Sequence, residues 1–112
     1  MNRYVVLYRA STSAAEQMAG ATPEQMQAGM DAWMSWSQRA GGAIVDLGTP
    51  LGNGRHIADG GAAPSDSDVS GFSILQAESA DAALDLLRDH PHLRMPGSSI
   101  EVLEAMPMPG TS

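Results

Sequence analysis

Residues 79–103, SADAALDLLRDHPHLRMPGSSIEVL, decide the fold of this chain. Apolar residues recur at helical spacing after Ser79, which predicts a helix that Ser79 caps and Pro91 stops. Gly97 then marks a turn, and residues 99–106 have the pattern of a last strand. A helix that leads into a strand at the end of a short chain closes a βαβ unit. The inner face of this helix is predicted to carry Ala83, Leu84 and Leu87.

The N-terminal third supplies the matching half of the fold. Residues 3–9 are rich in β-branched and aromatic side chains and predict the first strand, and residues 11–21 read as a small polar linker. A capping box, Thr22-Pro23-Glu24-Gln25, announces the first helix, and glycines 41 and 42 end it. The residues expected on the sheet-facing side of this helix are Met26, Met30, Trp33, Met34 and Ser37.

Between the two halves lies a long glycine-rich stretch. Residues 43–47 predict a short strand, and residues 71–77 predict the next one. The loop between them, residues 49–70, holds one possible brief strand at 55–58 and a flexible tip at 62–68. Connections of this length are uncommon in compact domains unless they are functional or mobile.

The element order predicts a single α+β domain over residues 1–112. It is a ferredoxin-like βαββαβ sheet with both helices on one face, followed by a flexible tail at 107–112. The first strand is apolar on both faces, so the sheet face without helices would expose a large apolar patch. Two such faces paired in a homodimer would cover it.

Composition excludes several classes of function. A net charge of −7 without a basic cluster argues against binding to nucleic acid or to anionic membrane surfaces. No apolar run approaches the roughly 20 residues that span a bilayer, and no secretory signal pattern opens the chain. The absence of cysteine removes disulfides and thiolate chemistry and fits a cytoplasmic protein. Asp46 and the three histidines would allow a metal site, but no two histidines have the i,i+4 spacing of a zinc helix, so no metal is expected. No other cofactor is expected either.

The chain resembles the YCII-related family, in particular its DGPF branch. The resemblance covers nearly the whole chain and rests on the order and spacing of six segments: residues 4–8, 30–36, 41–51, 71–83, 90–93 and 97–102. It implies a bacterial protein that forms a dimeric α/β-barrel from two ferredoxin-like subunits. Most members have no known activity. Some carry a His-Asp pair, one relative is a dehydrochlorinase, and others accompany extracytoplasmic-function sigma factors. The lyase-like members have a histidine in the first helix, where residues 30–32 here contain none.

Three residues are candidates for catalysis. Asp46 follows a strand and precedes the glycine-rich loop, where it would act as a base or orient an imidazole, or else bind the amides of the next turn. His56 would reach Asp46 if the loop folds over the sheet, or stay in solvent. His92 would face the opening of the barrel.

Four residues are candidates for ligand binding. Arg9 and Tyr8 end the first strand, where Arg9 would hold a ligand carboxylate or form a surface ion pair. His90 follows the second helix, whose dipole favours a protonated imidazole, so that a capping role would explain this residue without a function. Trp36 would cover the dimer edge or a cleft wall, while Trp33 belongs to the core.

These observations leave two functions open. In the first, a homodimer binds a small organic molecule in a cleft between sheet and helices, and in its enzyme form performs a lyase- or hydrolase-type proton transfer with Asp46 and a histidine. In the second, the chain is a non-catalytic regulatory partner domain, which requires an exposed apolar patch outside the dimer contact.

Overall fold

The computed structural model describes residues 1–109 of the chain and shows an α+β fold. Its main sheet is antiparallel, has four strands in the order β2-β5-β1-β6, and is compatible with a ferredoxin-like arrangement. Three helices and a separate two-stranded hairpin complete the fold. In chain order the elements are β1 (Asn2–Arg9), α1 (Ala14–Ala19), α2 (Pro23–Ala40), β2 (Ile44–Asp46), β3 (Arg55–Ala58), β4 (Gly61–Pro64), β5 (Val69–Ala77), α3 (Ala80–Leu87) and β6 (Ser99–Glu104).

The two central strands, β1 and β5, carry the core. Their burial alternates strictly: Tyr4, Val6 and Tyr8 are buried, as are Ser73 and Leu75 on the neighbouring strand. Because strand residues alternate between faces, all of these side chains point to the side of the sheet that α2 and α3 cover. The prediction that both long helices lie on one face is therefore confirmed.

The start and end of α2 follow its sequence, but its buried side does not. Thr22 and Gln25 form the predicted capping box, and Gly41 (φ +54°) ends the helix. The buried residues are Trp36 and Ala40, near the C-terminal end. The sheet-facing role predicted for three methionines is wrong: Met26, Met30 and Met34 are 40%, 62% and 58% exposed. Residues 22–31 are all exposed, because this half of the helix does not lie on the core.

Two other predictions near the helices need correction. The polar linker at 11–21 contains α1, which begins where Ser13 Oγ accepts a hydrogen bond from the Glu16 amide. The second predicted helix, α3, is capped by Ser79 as expected and buries Ala83 and Leu87. Leu84 is 40% exposed, since α3 meets the sheet along a narrower stripe than its apolar content suggests.

The glycine-rich stretch contains a hairpin instead of an unstructured loop. The brief strand at 55–58 is present as β3, but part of the expected flexible tip forms β4. The two strands pair with Ala58 opposite Gly61, so that Asp59-Gly60 is a two-residue turn. Asp-Gly is a typical hairpin pair, although here neither of its residues has a positive φ and Gly61 has one instead (φ +127°).

Gly48 joins β2 to β5 at very close range. Its φ is +82°, and a Cβ atom there would lie 1.7 Å from the carbonyl oxygen of Phe72. Beyond it the chain continues along β5, where the Leu51 amide donates to the Ser70 carbonyl at 3.0 Å and Pro50 forms a bridge with Gly71. Only glycine combines this backbone conformation with this approach.

The C-terminal strand is shorter than predicted, ending at Glu104 instead of residue 106. Residues 105–109 form no strand, and the rest of the predicted flexible tail, 110–112, lies outside the described residues. Within residues 1–109, no helix is both long and apolar enough to cross a membrane.

Candidate functional site

Four of the predicted site residues meet at one end of the sheet. Tyr8 at the end of β1, Trp36 on α2, and His90 and His92 around the turn at 90–94 lie together, joined by Trp33. We call this group, Tyr8, Trp33, Trp36, His90 and His92, the histidine–aromatic cluster. Pro91 positions both histidines: it ends the helical segment and starts a single 3-10 turn, in which the two imidazoles flank it.

His90 is the centre of the cluster. Its ring centroid lies 4.4 Å from those of Trp33 and Trp36 and 4.9 Å from that of Tyr8, and the residue is 1% exposed. Nδ1 accepts a hydrogen bond from the His92 amide at 3.0 Å, so the neutral ring carries its proton on Nε2. Nε2 has no hydrogen-bond partner in the described chain. The steep angles to the indoles, 84° and 62°, are those in which an N–H edge meets a neighbouring π-face.

Burial keeps this imidazole neutral. Desolvation lowers the pKa of His90 from 6.5 to about 4, and the charge of His92 contributes in the same direction. Asp89 opposes the shift and Arg39 adds to it, both weakly. An imidazole of this kind does not act as a general base near pH 7, because it binds a proton too weakly.

His92 is held to the backbone of β1. Its Nε2 donates to the carbonyl oxygen of Arg9 at 2.9 Å, and the residue is 5% exposed. Its own carbonyl accepts a hydrogen bond from Ser98 Oγ at 2.8 Å, which fixes the turn that leads into β6. The side chain thus links β1 to this turn and does not face an opening.

Tyr8 begins a buried chain of hydroxyl groups. Ser73 Oγ donates its one proton to the carbonyl oxygen of Leu47 at 2.6 Å, so the Tyr8 hydroxyl donates to Ser73 Oγ at 2.8 Å. Desolvation raises the pKa of Tyr8 to about 12, against the smaller effect of the Ser73 hydrogen bond. Ser73 was not predicted as part of a site. Its position in the alternation of residues 71–77 is the signal that places it on the inner face.

Trp36 is a buried side chain that connects two helices, and it does not line a cleft. It is 1% exposed, and its indole Nε1 donates to the Leu86 carbonyl at 2.8 Å, which fixes α2 against the end of α3. Trp33, predicted as core, is the more accessible of the two tryptophans. Trp33 packs against the core as predicted, whereas Trp36 does not cover a surface.

Of the two roles predicted for Asp46, the structure shows the one in which it binds an amide of the next turn. Its Oδ1 accepts a hydrogen bond from the Gly48 amide at 2.8 Å, as aspartate often does in a turn. Within residues 1–109, no carboxylate forms an ion pair or hydrogen bond with a histidine side chain. His56 lies on the exposed hairpin, away from the cluster in the fold.

Arg9 lies on the opposite face of the sheet from Tyr8. Its Nε donates to Asp68 Oδ1 at 2.8 Å, and its Nη1 donates to Glu101 Oε1 at 3.2 Å. The predicted surface ion pair is therefore present, with two carboxylates on one guanidinium. All three side chains are partly exposed.

This second face of the sheet has an apolar centre that no described element covers, bordered by polar residues such as Gln76 and Glu101. Val5 lies opposite both Ile74 and Leu103, and Leu7 lies opposite Phe72. Directly paired residues point to the same side, and these alternate with the buried residues of the core. We call the side chains of Val5, Leu7, Phe72, Ile74 and Leu103 the open face. Four of them are partly exposed, and Leu103 is 49% exposed.

Two small depressions lie on the surface of the described residues. One, of about 190 Å³, lies at the base of the hairpin, beside Leu51 and Val69, and the other, of about 170 Å³, lies between Ala10 and Met95. Neither is lined by a residue of the histidine–aromatic cluster. Within residues 1–109, no group of three or more His, Cys, Asp or Glu side chains is placed to hold a metal ion.

The geometry thus defines an α+β protein with a filled, aromatic interior and one uncovered sheet face. The family models that were compared with the chain do not match it. The search of curated proteins also finds no match.

Proposed function

We propose that this protein is a YCII-related homodimer that binds a small, mainly apolar organic molecule between two paired sheets. The observation that carries the proposal is the open face: five apolar side chains on three adjacent strands without cover in a single chain. Large uncovered apolar patches mark interaction or ligand sites. Pairing the same patch on two copies is the commonest closed solution.

The shape of the chain supports the same proposal. Its smallest dimension is 19 Å against 50 and 44 Å for the others, as expected for one sheet covered by helices on one side only. Its radius of gyration is 15.7 Å, whereas a compact chain of this length measures about 13 Å. A second copy against the open face would complete a third and a fourth layer.

The proposed ligand cleft lies at a corner of this pairing, because the largely buried histidine–aromatic cluster occupies one end of the space between sheet and helices. Sheets twist, so two faces that pack closely at the centre separate towards their corners. One corner of the open face carries Arg9 with Asp68 and Glu101. This group has a net charge of −1, which favours a neutral or cationic polar group on the ligand over the carboxylate first considered for Arg9.

The enzymatic alternative gains no support from the geometry. A proton transfer needs a titratable pair within hydrogen-bond reach of a substrate. Asp46 binds the Gly48 amide, His90 and His92 are buried, and His56 lies on the hairpin.

The regulatory alternative has one favourable observation, the exposed stripe of Met26, Met30 and Met34 on α2. Methionine-rich helix faces suit adaptable protein contacts. We rank the regulatory function below the ligand-binding one, because nothing in the described chain indicates which partner would cover the methionine stripe.

The dimer is tested by placing a charge on the open face. We expect the native chain to have twice the chain mass by light scattering at micromolar concentration, and Leu7→Lys to be monomeric. Leu7 pairs with Glu101 across β6, so a lysine there has an opposite charge as its neighbour and the single chain keeps its fold. Met30→Lys is the matched control, since it adds the same charge to an exposed apolar position outside the face. A monomeric native chain would refute the dimer.

The cleft is tested with the uncharged fluorescent probe N-phenyl-1-naphthylamine. Its emission should rise on binding to the native chain and to Met30→Lys, with at most a small number of sites per dimer, and should not rise with Leu7→Lys. A dimer that leaves the probe unbound would show that the paired faces close without a cleft. Equal binding by all three proteins would place the apolar site elsewhere.

A further inference from the structure

Within residues 1–109, no helix or sheet buries the side chains of the β3–β4 hairpin. Every residue of both strands and the Asp59-Gly60 turn is exposed, and Ile57 is 81% exposed. At its base, the Ser65 amide donates to the Gly54 carbonyl at 3.0 Å. An isolated two-stranded hairpin is at best marginally stable in water. A hairpin that projects in this way needs a surface to lie on.

The two faces of the hairpin differ in chemistry. Ile57 pairs with Ala62 and Arg55 with Pro64, so these four side chains share one face. His56 pairs with Ala63 on the other face, which is otherwise made of Ala58 and Gly61. The first face therefore presents one large apolar side chain, Ile57, beside the small Ala62, with Arg55 and Pro64 nearer the base of the hairpin. It is the face that gains most from burial.

We propose that the hairpin is an arm that lies across the second copy in the homodimer, with the Ile57 face packed against that copy. This inference rests on the proposed dimer and assigns it an additional contact. His56 then points away from the partner, because neighbouring strand residues face opposite sides. The arm is thus a dimer clasp, and its histidine is not part of the interface.

The area that a dimer needs favours a second copy as the occupant. Four strands about 4.8 Å apart, with the length of the eight-residue β1, give a face of roughly 20 by 27 Å, or about 500 Å² in projection. Stable specific interfaces bury about 800 Å² of accessible surface per partner. The short β2 and the charged corner at Arg9 reduce the part of the face that can supply apolar contact. An arm from each copy would add apolar contact to this area.

The hairpin is close in sequence to the open face, which also favours a second copy of the chain as its partner. The hairpin ends at Pro64, and β5 begins at Val69 and soon contributes Phe72 to the open face. A copy seated on that face therefore lies next to the base of the arm. The long dimensions of the chain, 50 and 44 Å, leave the arm free to extend past the edge of its own sheet.

The first test compares two substitutions on opposite faces of the arm. Ile57→Asp and His56→Asp each place one carboxylate on an exposed strand position, so neither threatens the fold. By sedimentation equilibrium we expect Ile57→Asp to raise the dimer dissociation constant at least tenfold and His56→Asp to change it less than twofold. If both substitutions change the dissociation constant equally, or if Ile57→Asp leaves it unchanged in a protein that is dimeric, the proposed packing of the arm on the partner is wrong.

The second test locates the arm directly. Because the chain contains no cysteine, Ile57→Cys and Ala58→Cys each provide a unique site for a benzophenone maleimide. After photolysis of a mixture with ¹⁵N-labelled native chain, the probe at 57 should cross-link to the labelled partner and the probe at 58 much less. Cross-links only within the same chain would refute the arm while the dimer stands. A native chain that is monomeric at every concentration would refute both the dimer and the arm.

Discussion

A neutral imidazole inside an aromatic cluster is an unusual use of a histidine, and His90 shows why the chain has one there. The turn at Pro91 needs an acceptor for the His92 amide, which Nδ1 provides. The same ring offers a flat surface to Trp33, Trp36 and Tyr8. An asparagine would supply the acceptor and a phenylalanine the surface, but only histidine supplies both. The cost is a titratable group in the core.

That cost predicts a pH dependence of stability. Above pH 6.5 the ring is neutral in both the folded and the unfolded chain, so it has no effect. Between pH 6.5 and about 4 the unfolded chain binds a proton that the folded chain does not, and the free energy of unfolding falls with pH. The full loss is about 3 kcal/mol, reached near pH 4.

The measurement is urea unfolding of the native chain and of His90→Asn between pH 7 and pH 4, at one protein concentration. Asparagine keeps an acceptor for the His92 amide and does not titrate, while the carboxylates affect both proteins alike. The native chain should be the more stable at pH 7, and its advantage should shrink by about 3 kcal/mol at pH 4. An advantage that is constant with pH would show that His90 titrates normally.

At the scale of elements, the strand pairing of β2 depends on one glycine. Asp46 fixes the Gly48 amide, and Gly48 lies against the backbone of Phe72. Gly48→Ala should therefore lower the free energy of unfolding by roughly 3 kcal/mol or more, since backbone must move to admit the methyl group. Gly52→Ala, with open space around its Cβ position, should change it by less than about 0.5 kcal/mol. Similar effects in urea unfolding would contradict the close approach at Gly48.

The elements that sequence predicted well are those whose signals are local. Capping residues at Thr22 and Ser79 and the glycine at 41 placed the helix ends, and alternation placed the strands. The signal for α1 is also local, because Ser13 and Glu16 have the spacing of a capping box. The prediction of a linker at residues 11–21 overlooked this spacing. Likewise, Asp59-Gly60 is a hairpin signal in a stretch interpreted as a loop.

The sequence did not predict which part of each helix packs on the sheet, because that depends on how the elements are placed relative to each other. An 18-residue helix is about 27 Å long, and only its C-terminal half meets the core. Two apolar stripes compete on α2, one with Met30 and one with Trp36, and periodicity alone cannot choose between them. The same holds for the candidate site: the sequence identified the residues around Pro91, but their burial could be seen only in the fold.

At the scale of the whole molecule, the net charge of the chain opposes the proposed dimer. Each copy carries −7, and two slabs 19 Å thick in contact place these charges about 20 Å apart. In water without salt, the repulsion is about 10 kcal/mol by Coulomb's law. Salt reduces it strongly, because the Debye length falls from roughly 20 Å at 20 mM to about 7 Å at 200 mM.

The dimer should therefore become tighter as salt is added. Between 20 and 200 mM NaCl we expect the dissociation constant from sedimentation equilibrium to fall at least tenfold, because apolar contact persists while repulsion is screened. Leu7→Lys is the control: it should stay monomeric at both concentrations, which separates screening from general salting-out. If the native dimer instead weakens with salt, ion pairs across the interface hold it together. The Arg9 corner, with its two carboxylates, would then be the centre of the contact instead of the apolar side chains.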